Sequence, residues 1–185
     1  MAKFTLHTQE TAPAESKELL AGSLKDFGMI PNLHAVMAES PSFLAAYKEI
    51  HGLFMKTSFN KEELTVVWQT INVEHACHYC VPAHTMIANS MEIPTEISSA
   101  LRNETPLPAP RLEALRTFTL KVVRQRGAVN DGDVQTFLDA GFKNQHILEV
   151  ILGVSQKVMS NYINHLARTP VDEPFKPFEW SKKTA

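Results

Sequence analysis

The chain has 185 residues, of which 44% are hydrophobic, and it carries a net charge of −2 with an isoelectric point near 6.4. These values are typical of one globular domain with a substantial core, and they exclude the strongly basic surface that nucleic acids or anionic membranes require. The sequence has neither a signal-peptide pattern nor an apolar run near the roughly 20 residues that span a bilayer, so we expect a cytoplasmic protein.

Helical spacing of apolar residues begins in the first part of the chain. The first stripe consists of Leu19, Leu20, Leu24 and Phe27. Ser40 followed by Pro41 predicts the start of another helix, because serine caps helix N-termini and proline fits the first helical position. Asn60 with Glu63 three residues later resembles a capping box and predicts the next helix start.

Further helices are predicted over about residues 94–102, 112–127, 131–140 and 144–167. The last of these has an apolar arc broader than one face, which predicts burial on several sides or in a subunit contact, and hence a homo-oligomer. Strand-like alternation is absent from the sequence. We therefore predict an all-α fold, with one domain over 1–185, a core over 40–168 and an irregular tail over 170–185 whose aromatic residues dock on the body or a neighbouring subunit.

Two short segments resemble each other, and each is expected to follow one helix and open the next. They are residues 91–97 (MEIPTEI) and 141–147 (GFKNQHI). The similarity suggests two related helical hairpins, and chance similarity over seven residues is the alternative interpretation.

The only two cysteines, Cys77 and Cys80, lie three positions apart, within the reach of a disulfide bond. Pro82 fits a helix only in its first turn, so the helix that contains it is predicted to begin between residues 79 and 82. Cys77 then lies just before the helix and Cys80 at its start, where the helix dipole and free N–H groups stabilise a thiolate.

His84 lies one helical turn after Cys80, where its imidazole can accept the cysteine proton or stabilise the anion. Glu74, three residues before Cys77, is a candidate relay carboxylate, with a solvated helix surface as the alternative. His78 is another titratable group, although a surface position is the more ordinary interpretation. The predicted catalytic set is Cys80, Cys77, His84 and Glu74.

Two other interpretations of the cysteine pair are compatible with the sequence. Together with His84 and either His75 or His78 the pair could bind zinc, although ligands so crowded at a helix start would be awkward. The thiols could also be inert core residues. We favour a redox-active cysteine pair that uses no metal or cofactor. We reject a thioredoxin fold, because the motif follows a helical stripe of apolar residues rather than a βαβ pattern.

The segment CHYCVPAH at residues 77–84, within an all-helical chain, resembles the alkylhydroperoxidase D-like proteins of the carboxymuconolactone decarboxylase superfamily. The resemblance extends over about residues 60–100 and, less strongly, over 141–151 and 160–165. It implies a bundle of paired helices that assembles into trimers or hexamers. It also implies reduction of hydroperoxides, or electron transfer to a peroxiredoxin, through a disulfide cycle.

By this resemblance, Cys80 is the peroxide-reactive thiolate, Cys77 resolves it to a disulfide, and His84 belongs to the proton relay. The best-studied members carry a glutamate about a dozen residues before the first cysteine, where this chain has Thr65. Glu74 is nearer in sequence and is the expected substitute. The decarboxylase branch usually lacks the cysteine pair, so decarboxylation is not expected.

Tyr79 stands beside the second cysteine, where the family has a histidine. It is a candidate pocket or relay residue with His78 and Trp68, and an apolar entrance formed by Tyr79, Trp68 and Met86 would favour organic peroxides. The sequence therefore predicts a thiol-dependent peroxidase that uses a hydroperoxide and a dithiol or protein reductant. The alternative is a non-catalytic redox-sensing or metal-binding module.

Overall fold

The computed structural model of the protein describes residues 4–182, whose regular secondary structure is helical throughout. In chain order the helices are α1 (Ala14–Phe27), α2 (Asn32–Met37), α3 (Pro41–Phe54), α4 (Lys61–Glu74), α5 (Cys80–Ser90), α6 (Thr95–Asn103), α7 (Pro110–Arg124), α8 (Asp131–Asp139), α9 (Asn144–Ala167) and a 3-10 helix (Glu173–Phe178). This confirms the predicted all-α fold. Within the described range, none of these helices combines the length and apolar character that a membrane crossing requires.

Side-chain caps define the starts of α4 and α8, and a proline in the first turn marks the starts of α3 and α7. Asn60 Oδ1 accepts the Glu63 N–H at 3.0 Å while the Glu63 carboxylate accepts the Asn60 N–H at 3.0 Å, which confirms the predicted capping box of α4. Ser40 and Pro41 occupy the N-cap and first position of α3, as predicted. α7 ends at Arg124, three residues before the predicted stop, and Gly127 follows with a φ of 85°.

The first part of the chain differs from the prediction. Leu20 is buried, but Leu24 and Phe27 are 42% and 52% exposed, because α1 packs along one narrow line against α2 and α3. α2 was not predicted, since six residues are too few to display a helical period.

Helix α4 lies at the centre of the bundle and packs against α5, α6, α7 and α9. Every residue from Glu63 to Val73 is buried, which accounts for its weak amphipathic pattern. With α6 to α9 it forms the first hydrophobic cluster, where Phe137 stacks between Phe118 at 4.2 Å and Phe142 at 4.3 Å.

A second hydrophobic cluster surrounds the cysteine pair. It joins α1, α2, α3 and α5 to the 3-10 helix through residues that include Leu20, Leu33, Leu44 and Phe175. The core therefore extends on both sides of the predicted range 40–168. The predicted docking of the tail aromatics on the body is confirmed, since Phe175 is buried and Trp180 Nε1 donates to the Arg102 carbonyl at 3.0 Å.

Helix α9 buries an unusually polar face and exposes several large apolar side chains. Its buried residues are mainly polar and include Gln156, Lys157, Ser160, Asn161 and Asn164. Leu148 and Leu166 are 68% and 71% exposed. The predicted burial of the apolar arc is therefore met in part: Val150 is buried, and Ile147, Val154, Met159 and Ile163 pack against the two hydrophobic clusters. The rest of the arc is exposed in the single chain, because part of the inward face of α9 is polar and faces the cysteine pair.

Candidate active site

The cysteine pair lies where the chain turns from α4 into α5. Ala76 adopts a left-handed conformation with a φ of 51°, and the next N–H, that of Cys77, donates to the Asn72 carbonyl at 2.9 Å. Cys80 is the first residue of α5, and its N–H donates to Cys77 Sγ at 3.3 Å. Both cysteines are buried free thiols. The structure therefore brings both sulfurs to one helix N-terminus, as the sequence predicted.

A cavity of about 420 Å³ reaches this helix start. Its wall is mainly apolar and includes Phe27, Leu33, Met86, Ile87 and Phe175. Cys80 contributes to the wall, together with His84 and Lys157. A small molecule that enters the cavity therefore meets the sulfur of Cys80 among apolar side chains and a few polar groups.

The surroundings of Cys80 favour its thiolate. Burial alone would raise the pKa of Cys80, but a hydrogen bond from Cys77, the positive charge of Lys157, and hydrogen bonds from Ser160 and Asn164 outweigh it and lower the pKa to about 5. Asn164 Nδ2 donates to Cys80 Sγ at 3.2 Å. At neutral pH this sulfur is therefore an anion and a nucleophile.

Cys77 has the opposite character. Its hydrogen bond with Cys80, together with burial, raises the pKa of Cys77, so its thiol stays protonated. The pair is asymmetric: one sulfur carries the negative charge, and its neighbour retains the proton. Such a pair titrates as a unit, and the thiolate lies on the sulfur that faces the cavity.

His84 is held as a neutral imidazole. Burial, with the nearby charge of Lys157, lowers the pKa of His84 well below its ordinary value. Its Nε2 lies 2.8 Å from Lys157 Nζ, which as an ammonium donates to it. Proton transfer from Cys80 to His84, one of the two roles predicted for the imidazole, is therefore disfavoured at neutral pH.

A chain of buried amides fixes the first turn of α5 from behind. Asn161 Nδ2 donates to Asn72 Oδ1 at 3.0 Å, and Asn72 Nδ2 donates to Gln69 Oε1 at 3.0 Å. Gln69 Nε2 then donates to the Val81 carbonyl at 3.1 Å. Because each amide has a partner, this network holds the helix start, and with it Cys80, in one orientation.

Two further imidazoles and a phenol in the cavity wall are uncharged at neutral pH. Burial lowers the pKa of His34 to about 3 and that of His51 to about 4. Burial also raises the pKa of Tyr47. The cavity therefore presents neutral hydrogen-bonding groups around the Cys80 thiolate.

The structure does not bring Glu74 to the cysteine pair. Its carboxylate accepts two hydrogen bonds of 2.8 Å from Arg124 and lies 3.9 Å from Lys182 Nζ. These partners face α7 and the C-terminal segment, so the predicted relay from Glu74 to His84 is corrected to a structural ion pair. The hydrogen bonds from Arg124 lower the pKa of Glu74.

Thr65, which stands where the family has its glutamate, and the nearby Glu63 are both engaged near the start of α4. The Thr65 hydroxyl donates to the Lys61 carbonyl at 2.9 Å, and Arg111 donates to the Glu63 carboxylate at 2.9 Å. The family that this sequence resembles has a relay glutamate. Neither Glu74, which was expected to replace it, nor Thr65 or Glu63 takes its place here.

The candidate pocket and relay residues have separate roles. Tyr79 lines the cavity, and its hydroxyl donates to Asp172 at 2.5 Å, which ties the C-terminal segment to the site. Trp68 packs behind His84, with 4.9 Å between ring centroids, and donates to Gln156 at 2.7 Å. Met86 lines the cavity as predicted.

The histidines that the zinc alternative requires are bound elsewhere. His78 Nε2 pairs with the Thr169 carbonyl at 3.0 Å, and His75 Nδ1 pairs with Asn161 Oδ1 at 2.9 Å. Within residues 4–182, groups of three or more His, Cys, Asp or Glu side chains placed to hold a metal ion are absent.

The functional residues that the sequence analysis missed lie on α9 and α3. They are Lys157, Asn164, Tyr47 and His51. Lys157 and Asn164 are seven residues apart, two turns on one face of a helix, and a lone lysine within an apolar helical segment was the available signal. Nothing local in the sequence indicates that this face meets the cysteine pair.

The helices and their arrangement form an AhpD-like all-α fold. The structure is similar to the alkylhydroperoxidase AhpD core protein of Ralstonia eutropha JMP134, an uncharacterised peroxidase-related protein. The TM-score is 0.83 at 20% identity, over 94% of this chain and 93% of the other. An uncharacterised peroxidase-related protein of Silicibacter sp. TM1040 gives 0.78 at 18% identity, over 94% and 95%.

The same fold also occurs in the debrominase Bmp8. The TM-score is 0.71 at 10% identity, over 94% of each chain, and a cysteine-to-alanine variant of Bmp8 has been crystallised with 2,3,4-tribromopyrrole. No protein-family model matches the sequence, and no curated protein matches it. These similarities establish the fold, which accommodates more than one chemistry.

Proposed function

We propose that the protein is a thiol-dependent peroxidase that reduces organic hydroperoxides through a disulfide cycle between Cys80 and Cys77. A dithiol or a protein reductant restores the thiols. The observation that carries this proposal is the state of Cys80: a thiol with a pKa lowered to about 5 lies in the wall of an apolar cavity, beside a protonated thiol. The similarity to peroxidase-related structures supports it.

The chemistry follows from the asymmetry of the pair. The Cys80 thiolate attacks the distal oxygen of the hydroperoxide, the O–O bond breaks, and the departing oxygen takes a proton to become an alcohol. Cys80 is then a sulfenic acid. The Cys77 thiol attacks its sulfur, water leaves and a disulfide forms. A dithiol reduces the disulfide by exchange and becomes oxidised.

The cavity supports an organic rather than an inorganic peroxide. Hydrogen peroxide needs little apolar surface, whereas a volume of about 420 Å³ lined by Phe27, Met86, Ile87 and Phe175 accommodates the alkyl or aryl part of a larger hydroperoxide. We therefore expect a lower KM for cumene hydroperoxide than for hydrogen peroxide.

The activity test exploits the fact that the chain contains two cysteines. The wild type should consume cumene hydroperoxide in proportion to supplied dithiothreitol, and Cys80→Ser should not. Cys77→Ser should react once and accumulate sulfenic acid on Cys80, seen as a mass increase of one oxygen. Equal consumption by the wild type and Cys80→Ser would refute the proposal.

Halogenated aromatic compounds are a second candidate class of substrate, which the protein would dehalogenate. This class is favoured by the fold shared with the debrominase Bmp8 and by the apolar cavity at a thiolate. Reductive removal of bromine would replace the carbon–bromine bond with a carbon–hydrogen bond whose proton comes from the Cys77 thiol, release bromide, and join the two sulfurs as a disulfide. Bromide release from a bromopyrrole, with no peroxide consumption, would favour this candidate.

The non-catalytic alternatives predict different outcomes in the same assay. A redox sensor would oxidise once, change its association and show no sustained turnover. A metal-binding module would copurify with stoichiometric zinc, detectable by elemental analysis.

A further inference from the structure

Lys157 is a wholly buried lysine at the active site. It lies in the middle of α9 at 0% exposure, lines the cavity that contains Cys80, and places its Nζ 2.8 Å from His84 Nε2. The carboxylates of residues 4–182 form their ion pairs with other cationic residues, and none of these pairs includes Lys157. An ammonium in this place therefore lacks the usual carboxylate partner.

A buried cation needs a compensating anion, because its removal from water costs several kcal/mol. The titratable groups that line the cavity with Lys157 are Cys80 and His84 on α5, Tyr79 just before α5, Tyr47, Lys48 and His51 on α3, Asp26 on α1 and His34 on α2. The imidazoles and the phenols are neutral at pH 7, and Lys48 is itself cationic. Asp26 is the carboxylate of this wall, and its charge acts on Lys48, whereas the groups whose charge acts on Lys157 are Cys80 and Cys77. Cys77 stays protonated, so Cys80 supplies the negative charge beside Lys157.

We propose that Lys157 is the counter-ion of the Cys80 thiolate and the acid that protonates the oxygen leaving from the hydroperoxide. The inference rests on the proposed peroxidase function and names a catalytic residue for it. His84 is a positioning residue in this scheme, because its neutral Nε2 accepts one N–H of Lys157 and leaves the others to the cavity. A lysine from α9 thus takes the place predicted for a glutamate on α4.

The proton balance closes over one turnover. Cys80 thiolate and the Lys157 ammonium react with ROOH to give the sulfenic acid, ROH and a neutral amine at Lys157. Cys77 thiol and the sulfenic acid then give the disulfide and water. A dithiol reduces the disulfide to two thiols, and neutral Lys157 takes the proton of Cys80 to restore the ion pair. The net reaction converts ROOH and a dithiol to ROH, water and a disulfide.

The fate of Lys157 after oxidation follows from its burial. The disulfide is uncharged, so an ammonium at Lys157 would have lost its counter-ion. Burial lowers the pKa of Lys157, whereas Cys80 and Cys77 raise it while the thiolate is present. The transfer of the lysine proton to the leaving alkoxide therefore removes an uncompensated charge at the moment the sulfur is neutralised.

The counter-ion role is tested without any peroxide. Lys157→Met keeps a long side chain and removes the charge, and Lys56→Met makes the same change at an exposed position. The rate of Cys80 alkylation by iodoacetamide at pH 6 should fall about tenfold or more in Lys157→Met and stay unchanged in Lys56→Met. Unchanged alkylation in Lys157→Met would overturn this half of the proposal, whatever the peroxidase assay gives.

The acid role is tested by changing the leaving group. An alkoxide must be protonated as it leaves, whereas a carboxylate leaves without a proton. Lys157→Met should therefore lose about 100-fold in the rate of sulfenic acid formation with cumene hydroperoxide, and about tenfold with a peroxycarboxylic acid. Equal losses with the two oxidants would leave Lys157 as a counter-ion and overturn its role as an acid. If the wild type reduces neither oxidant, the peroxidase function and the acid role fail together.

A measurement on the wild type covers the case in which Lys157→Met does not fold. If Lys157 loses its proton on oxidation, the protein exchanges two protons per disulfide, as dithiothreitol does, and their equilibrium is independent of pH between 6 and 8. If Lys157 stays charged, reduction releases a proton and the equilibrium shifts about tenfold per pH unit. The proposal expects the first result, together with thiolate absorbance in the reduced protein, and the second would overturn it.

Discussion

The two cysteines differ because of what surrounds each sulfur. Cys80 faces the cavity, starts α5 and accepts an N–H from Asn164, whereas Cys77 is fully buried and donates to Cys80. The motif already distinguishes the two sulfurs, because Cys80 begins the helix and Cys77 precedes it. The hydrogen bond from Cys77 and the polar face of α9 add to this difference, so we expect Cys80 to be the anion and to react first.

This asymmetry predicts the pH dependence of Cys80 alkylation. The pKa of Cys80 is lowered to about 5, so the thiolate persists at neutral pH and is lost as the pH falls through about 5. The alkylation rate should be flat from pH 6 to 8 and half-maximal near pH 5. The rate is measured by mass spectrometry of the alkylated peptide.

The control for this profile is the urea-unfolded protein, in which the half-maximal pH should return to about 8.5, the ordinary value for cysteine. Cys77→Ala removes a hydrogen bond to the thiolate, so its half-maximal pH should lie above that of the wild type. A native half-maximal pH above 7 would contradict the assigned thiolate.

At this scale the sequence predicted the cysteine pair, its place at a helix start and the proximity of His84. It did not predict Lys157, which is separated from His84 by 73 positions. Whether two side chains so far apart in sequence meet depends on the rotation of α9 about its axis relative to α5. The helical spacing of apolar residues does not predict that rotation. The relay prediction for Glu74 failed for the same reason, because its partner Arg124 lies on α7 and this contact is not visible in the sequence.

At the level of elements, Gly153 sets how closely α9 approaches α3 and α4. A Cβ atom at this position would lie 2.8 Å from Phe54 Cε2 and 2.8 Å from Val67 Cγ1. Both neighbours are fully buried and have no free space to move into. The close approach places the polar face of α9 beside the cysteine pair.

We therefore predict that Gly153→Ala lowers the free energy of unfolding by about 1–3 kcal/mol, because overpacking outweighs the better helix propensity of alanine. The measurement is urea denaturation followed by circular dichroism. Gly52→Ala is the matched control in α3, where the added Cβ meets nothing within 4 Å and should stabilise by up to about 1 kcal/mol. Stabilisation by both substitutions would contradict the close packing of α9.

The helix boundaries were predictable where caps and prolines define them, as at Asn60 and Pro82. The short α2 was not predictable, and neither was the polar buried face of α9. An apolar arc indicates that a face avoids water, but it does not tell whether the protein's own core or another chain covers it. In α9, Val150 is covered by the protein's own core, whereas Leu148, Ile151, Tyr162 and Leu166 are exposed in the single chain.

At the scale of the whole molecule, the two ends of the chain complete the cavity. The 3-10 helix Glu173–Phe178 packs on α5, and Phe175 lines the cavity opposite the N-terminal helices. Asp172 accepts hydrogen bonds from the Tyr79 hydroxyl and the Asn32 N–H, which joins three distant parts of the chain. The core predicted for residues 40–168 would leave this cavity open to solvent on two sides.

The exposed apolar residues of α9 lie along one line of the helix, as a pair near each end. They are Leu148, Ile151, Tyr162 and Leu166, which are 46–71% exposed and follow helical spacing over five turns. Exposed apolar side chains aligned on one helix face are typical of a protein–protein interface. We predict that the protein is a homo-oligomer in solution and that this line of α9 lies in the contact.

The oligomer is tested by light scattering during size-exclusion chromatography. The wild type should elute as a defined oligomer at micromolar concentration, and the double variant Leu148→Glu with Leu166→Glu should dissociate at least about tenfold more readily, because each substitution buries a charge in an apolar contact. Leu24→Glu introduces the same charge at an exposed position of α1 and should leave the mass unchanged. If the wild type is a monomer, or if the α9 and α1 variants behave alike, the apolar line of α9 is not the contact. Because Lys157 and Asn164 lie on the opposite face of α9, dissociation should leave the alkylation profile of Cys80 intact, which separates assembly from the chemistry of the site.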